Sequence, residues 1–248
     1  MAPTRRSLHP AGALTWLVEV DGAAVLDLAH GSAVFARELQ AVGHHVTVLD
    51  RQPAPASTPG PQGGPATVLG QPESLPFKAR QFDAVTASDT LQHFAPGLAL
   101  PEIARVLRPG GTLSVVQTTR DDTVPWVRRL ARMVQEVDPG AMRGDYGQEA
   151  VELLVDSPFF TAVEHRDFRN WIPITRSGLV DMVARRPAVQ AVEEDRRDAL
   201  LADVAALFDS LARPLEPLML PFQSSCWRAR PVPGGGTDED DDVLQFSL

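Results

Sequence analysis

The stretch from Ala23 to Asp50 constrains the fold more than any other part of the chain. Ala23-Ala24-Val25-Leu26-Asp27-Leu28 is an apolar run of buried-strand length. It passes through Ala29-His30-Gly31-Ser32 into residues 33–43, where Phe35, Leu39 and Val42 form a helical stripe and Gly43 stands as a C-terminal stop. A second β-rich run follows, His45-Val46-Thr47-Val48-Leu49-Asp50. Strand, turn, helix and strand packed into so short a span form a βαβ unit, which implies a parallel sheet covered by helices. The chain has 248 residues, 44% of them hydrophobic and 22% charged, so it has the length and composition of one large globular domain and not of a disordered chain.

Downstream the pattern breaks and resumes. Residues 52–66 carry prolines at 53, 55, 59, 61 and 65 and read as a flexible loop that no helix can occupy. Ala66–Gly70 and Phe82–Ser88 read as strands. Pro101 opens a helix containing Ile103 and Leu107, which Pro109-Gly110-Gly111 ends, and Thr112–Thr118 is a further strand. Asp122 is positioned to cap a helix with Val127, Leu130, Val134 and Val137 on one face and Pro125 in its first turn. Asp145–Gln148 resembles a capping box for a helix through Leu154. A strand near Val163–Ile172, a helix capped by Thr175, a long helix marked by Leu200, Val204, Leu207, Phe208 and Leu211, and a last strand Leu220–Arg230 complete the order. These assignments give a single domain over residues 1–232 and an acidic, disordered tail over 233–248.

The formal charge is −9, with five of the acidic side chains in the run Asp238–Asp242, so no general attraction to nucleic acid or to an anionic membrane is expected. Cys226 is the sole cysteine, which excludes an intramolecular disulfide and a cysteine-rich zinc site. The six histidines show no metal-ligand spacing, so no metal is expected. No signal-peptide core or membrane-length apolar span is evident, and a soluble cytoplasmic protein is the expectation; oligomeric state is left open.

Five segments, in this order and spacing, resemble the class I S-adenosylmethionine-dependent methyltransferases of small-molecule type. They are Val25-Leu26-Asp27-Leu28-x-x-Gly31, Asp50, Glu73-Ser74-Leu75-Pro76-Phe77, Phe82-Asp83-Ala84-Val85 and Val106-Leu107-Arg108-Pro109-Gly110-Gly111. Thr119-Arg120-Asp121-Asp122-x-Val124-Pro125-Trp126 is similar to the segment after strand 5 in bacterial members near the trans-aconitate methyltransferase group. The resemblance covers roughly residues 11–232. It implies a Rossmann-like α/β three-layer sandwich, with a mostly parallel seven-stranded sheet ordered 3-2-1-4-5-7-6 and an antiparallel last strand. It implies S-adenosyl-L-methionine as cofactor and a small-molecule acceptor. Asp27 would reach the cofactor's ammonium, Gly31 would admit it closely, and Asp50 would accept from the ribose hydroxyls. Ala29, Arg51, Gln71, Pro72 and Ser88 would complete the cofactor site. His93 and Asp121 are the candidate catalytic residues, and Trp126 and Tyr146 the candidate lining of the acceptor pocket. Structural alternatives stand beside these: a cap role for Asp27, helix capping by Asp122, core packing for Trp126 and for His93-Phe94.

Four departures from the family pattern fall on the cofactor cleft. The glycine loop reads Ala29-His30-Gly31-Ser32-Ala33, with methyl groups at two positions where glycine is usual. A positive φ at Ala29 would cost about 1–2 kcal/mol. The adenine segment reads Gln71-Pro72, and proline has no N–H to offer. Gln92 stands where the family has histidine, with His93 one position along, and the 52–66 loop replaces a helix. Three functions are consistent with this pattern: a methyltransferase, a non-catalytic methyltransferase-fold module with a weakened cofactor site, and a nicotinamide-dependent oxidoreductase, for which Ala29-x-Gly31-x-x-Val34 matches poorly.

Overall fold

The structure, a computed structural model, describes residues 7–29, 33–51, 64–141, 148–213 and 216–233. The calls on Gly31, Tyr146, the 145–147 part of the capping box, most of the 52–66 loop and all but the first residue of the tail lie outside them.

Seven strands form one sheet. They are β1 (Ala24–Leu28), β2 (His45–Asp50), β3 (Ala66–Leu69), β4 (Phe82–Ser88), β5 (Leu107–Arg120), β6 (Phe160–Ile174) and β7 (Leu218–Pro231). Their order is β3-β2-β1-β4-β5-β7-β6, the expected one, mostly parallel with an antiparallel last strand. The helices are α1 (Ala11–Leu17), α2 (Val34–Ala41), α3 (Pro96–Val106), α4 (Pro125–Gln135), α5 (Gln148–Val155), α6 (Arg176–Ala184), α7 (Pro187–Gln190) and α8 (Glu194–Leu211). β1 pairs in parallel with both β2 and β4, and its Val25, Leu26 and Leu28 are fully buried. That burial is what a continuous apolar run means in a parallel sheet covered on both faces.

The chain divides into two compact units, with boundaries before α1 and α5 and inside β5, β6 and β7. In the unit of Ala11–Gln117, Gly147–Arg166 and Cys226–Leu248, α3 and α5 pack together over a core that includes Leu26, Leu28, Leu49, Val85, Ile103 and Leu154. In the unit of Met1–Pro10, Thr118–Tyr146 and Asp167–Ser225, α8 packs against α4 and α6 around Leu130, Val134, Leu179, Val183, Val204 and Leu207.

Local signals act where they were read. α2 has no side-chain N-cap but ends on Gly43 at φ 104. Its last carbonyls are closed by Gly43 N–H to Gln40 and His44 N–H to Leu39, the reciprocal pair of a Schellman cap, for which glycine carries no Cβ penalty. The Thr175 side chain caps α6 by accepting from the Gly178 N–H at 3.1 Å.

Three expectations are corrected. α3 begins at Pro96, with Pro101 inside it. The missing N–H at Pro101 removes one helical bond, and burial of Ala99, Leu100, Ile103 and Val106 on one face outweighs that loss. Pro109-Gly110-Gly111 does not end this helix but lies within β5, where Phe82 pairs with Leu107 and Ala84 with Thr112. The extra β5 residues between those pairs are accommodated as a bulge. Asp122 does not cap α4: Val124 is the N-cap residue, and neighbouring Asp121 makes the local bonds instead. α1 was not foreseen. Among the described residues no helix is long and apolar enough to cross a membrane, and no group of His, Cys, Asp and Glu is gathered as a metal site.

Candidate cofactor site at the carboxyl ends of the central strands

In an open parallel sheet, ligands bind beyond the carboxyl ends of the strands where the strand order reverses. That point lies between β1 and β4. Asp27, one residue before the end of β1, is 2% exposed and accepts a 2.8 Å hydrogen bond from the Thr86 hydroxyl. The two residues are register partners across the β1–β4 pair. Thr90, just beyond β4, donates its hydroxyl to the Leu28 carbonyl at 2.9 Å, which fixes the start of the turn after β4 against the end of β1.

Ala29 takes no positive φ, and Ala33, the residue before α2, has φ −96. The strain raised for this loop is therefore absent at both alanines, because each sits in backbone that any residue adopts. The Ala29 N–H is held by the Leu49 carbonyl at 2.9 Å, so the loop leaves the sheet anchored to β2.

Asp50 closes β2, is buried to 9% exposure, and through its carbonyl accepts from the Gly70 N–H at 3.0 Å. Gly70 is needed here: a Cβ would fall 2.8 Å from the Leu49 side chain and 3.2 Å from Pro76. Arg51 is exposed, and one of its terminal nitrogens reaches both carboxylate oxygens of Glu73 at 2.8 Å. Glu73 also accepts from the Ala95 N–H. Burial pushes the Glu73 carboxyl up, but the Ala95 N–H and Arg51 outweigh it and hold it below its ordinary value.

Gln71 and Ser74 bracket a tight turn, with the Ser74 N–H bonded to the Gln71 carbonyl at 3.1 Å. Pro72 occupies the first central position, where its fixed φ suits the turn, and it is buried, whereas Gln71 is exposed. The segment that follows is fastened to α3. Glu102 accepts from the Leu75 N–H, and Arg105 bonds Glu102, the Phe77 carbonyl and the Leu75 carbonyl. The family-like Glu73–Phe77 element thus serves as a brace for the loop that presents Gln71.

Ser88 is half-buried at the end of β4, and Asp89 beyond it takes φ 54, a strained position that a short polar side chain tolerates. Gln92 donates its amide to the Asp89 carbonyl at 2.7 Å, while its Oε1 is enclosed with no hydrogen-bond partner. His93 ends the 3₁₀ turn Leu91–His93 and is exposed.

Two predicted site residues fall in the other unit. The Asp121 carboxylate is 5% exposed, accepts from the Thr123 N–H and hydroxyl, and lies 3.2 Å from Arg169. Trp126 is half-buried and packs on the core around Leu130 and Val134. Thr86, Thr90 and the Glu102–Arg105 pair were missed. A threonine inside the otherwise apolar Ala84–Ala87 stretch was the available signal for Thr86, because a buried hydroxyl needs a partner.

The comparisons agree with this geometry. Residues 26–115 match the model of the family described as "Methyltransferase domain". An uncharacterized methyltransferase of Mycobacterium tuberculosis is 34% identical over 235 residues, covering 90% of each chain. A demethylmenaquinone methyltransferase of a Mycobacterium species is 42% identical over 116 residues, 46% of this chain and 48% of that one. A solved structure from Anaeromyxobacter dehalogenans, described as a candidate type II methyltransferase, has a TM-score of 0.68 at 20% identity and covers 92% of this chain and 98% of its own. These findings bear on the family and not on the trans-aconitate subgroup. With the strand order and the buried aspartates of β1 and β2, they establish that the chain belongs to the class I S-adenosylmethionine-dependent methyltransferases, a family that uses that cofactor generally.

Proposed function

We propose that this protein binds S-adenosyl-L-methionine at the carboxyl ends of β1, β2 and β4 and methylates a small-molecule acceptor in the cytoplasm. The observation that carries the reading is the pair of buried carboxylates, Asp27 and Asp50, ending adjacent parallel strands beside the switch point. A carboxylate held at the end of a parallel strand accepts charge-assisted hydrogen bonds from a cationic or hydroxyl-bearing ligand. Asp27 suits an ammonium, with Thr86 fixing one oxygen, and Asp50 suits a vicinal diol. The bound cofactor supplies a methyl group already activated by its sulfonium.

The chain's own residues bind and position. Ala29 lines the loop without strain, and Gln71, on its braced turn, offers an amide acceptor and donor to a heterocycle edge, a task that Pro72 cannot share. Arg51 is committed to Glu73 and contributes by holding that turn, and Ser88 ends the β4 wall. Methyl transfer needs a base only if the acceptor must lose a proton. His93, exposed at the end of the 3₁₀ turn after β4, is the candidate for that role, and Asp121 is bonded to Thr123 and Arg169.

The test is transfer of isotopic methyl from S-adenosylmethionine in the presence of a cell extract split by size. Label in the small-molecule fraction, absent with heat-treated protein, is the expected result. Label confined to nucleic acid or protein, or no transfer at all, contradicts it, and the last outcome favours the non-catalytic module.

A further inference from the structure

Helix α4 turns its basic side chains to one side. Arg128, Arg129 and Arg132 fall within about 100° of its circumference, opposite the buried stripe of Val127, Leu130, Ala131 and Val134. All three are exposed, and the helix itself carries no acidic residue. Arg128 reaches the Asp122 carbonyl at 3.1 Å, and from α8 the exposed Arg196 reaches the Glu136 carbonyl at 2.9 Å. Among the described residues none of these four arginines has a carboxylate partner. Elsewhere in the same unit arginines meet carboxylates: Arg186 with Asp138 at 2.6 Å, Arg176 with Asp209 at 2.9 Å, Arg169 with Asp121 at 3.2 Å. The chain has acids enough, 32 against 23 lysines and arginines. Five of them stand together in Asp238–Asp242, behind Gly234-Gly235-Gly236.

We propose that this α4 face docks the acidic run Asp238–Asp242 of a second copy of the chain, two copies exchanging the contact reciprocally. The inference goes beyond the methyltransferase reading and needs nothing from the cofactor site. Charge complementarity names the occupant: four guanidinium groups meet five carboxylates, and a guanidinium fork takes carboxylate oxygens two at a time. A chain that carries both the basic face and the acidic run is self-complementary, the condition for a closed, isologous pair. One exposed ion pair contributes little, so the face acts through several arginines together. Reciprocal exchange adds to this, because the second run docks at the high effective concentration that the first contact sets. Asp122 and Glu136 stand at either end of α4, so the basic surface between them suits a short acidic segment. A nucleic acid or an anionic membrane would have to compete with this run, which every copy carries.

The test is sedimentation of the full chain over a range of concentrations, at about 0.1 M and about 1 M salt, where charges are screened beyond about 10 and 3 Å. A dimer that weakens about tenfold or more at the higher salt is expected. Two sets of changes follow: Arg128→Gln with Arg129→Gln and Arg132→Gln, and Asp238→Asn with Glu239→Gln, Asp240→Asn, Asp241→Asn and Asp242→Asn. Each set should weaken the dimer to a similar extent, and joining them in one chain should add little, because both remove the same contact. Reversing the charges, with glutamate at 128, 129 and 132 and lysine at 238–242 of the same chain, should restore the dimer, which a merely structural role would not do. If the arginine variants fail to fold, the changes at 238–242 alone decide. A chain that is monomeric at every concentration overturns the proposal, whether or not its run lies on its own α4. A dimer indifferent to salt or to the changes at 238–242 overturns it as well. So does a parent chain that forms no dimer and binds phosphatidylserine vesicles or a duplex oligonucleotide through these arginines.

Discussion

Thr86 donates its hydroxyl to the Asp27 carboxylate at 2.8 Å across the parallel β1–β4 pair, with both residues buried. This bond holds one oxygen of the carboxylate at the switch point while the strands fix the backbone on either side. Thr86→Val keeps the shape and removes the donor. Leaving a buried acceptor short of a partner costs about 1–3 kcal/mol. A lowered melting temperature together with weaker S-adenosylhomocysteine binding is expected, read by calorimetry. An unchanged affinity would remove Asp27 orientation from the account.

Asp50→Ala tests the ribose contact. The side chain ends β2, and the backbone bond from Gly70 survives the substitution. Charge-assisted bonds to two ribose hydroxyls are worth roughly 1.5–3 kcal/mol each, so the cofactor should weaken at least about tenfold. Equal affinity in the variant would exclude Asp50 from the site.

Restoring glycines at Ala29 and Ala33 should not improve binding through strain relief, since neither alanine takes positive φ. The double glycine variant should lose roughly 0.5–1 kcal/mol of stability per substitution through the greater freedom of the unfolded chain. A tenfold gain in cofactor affinity would instead mean that the methyl groups crowd the ligand.

The sheet was legible because its signals are local and redundant. Val25-Leu26-x-Leu28 and Val46-x-Val48-Leu49 are buried-strand runs, and Gly43 and Thr175 mark helix ends by the bonds they make. α3 was placed five residues late because a proline normally breaks a helix, and the burial that overrides it at Pro101 is tertiary. Which φ Ala29 takes was open in the sequence for a related reason: loop identity does not report φ when the loop is anchored by a long-range bond to Leu49. Thr86, Glu102 and Arg105 act over separations of 27 to 59 residues, beyond what periodicity carries.

Acid stability should reflect the carboxyls that brace the site. The Arg105 guanidinium beside Glu102, opposed by burial and aided by the Leu75 N–H, holds that carboxyl below its ordinary 4.5. Burial raises Asp83, but Arg108 at 2.6 Å and the Ala24 N–H outweigh it and hold it below 3.8. A lowered folded-state pKa contributes stability above the unfolded value, and that stability is lost as pH falls through the folded one. Glu102→Gln should therefore be less stable near neutrality by about 1 kcal/mol. Its melting curve should converge with the parent's as pH drops below 4.5. Parallel curves down to acid pH would contradict the assignment.

The central claim is that the altered loop and adenine turn still hold the family's cofactor. Calorimetric titration of the unmutated chain with S-adenosylhomocysteine tests it most directly, with NADH run beside it. One-site binding tighter than roughly 100 μM, about −5.5 kcal/mol, and none to NADH is the predicted result. No binding at millimolar S-adenosylhomocysteine would contradict it and leave a methyltransferase fold without its cofactor.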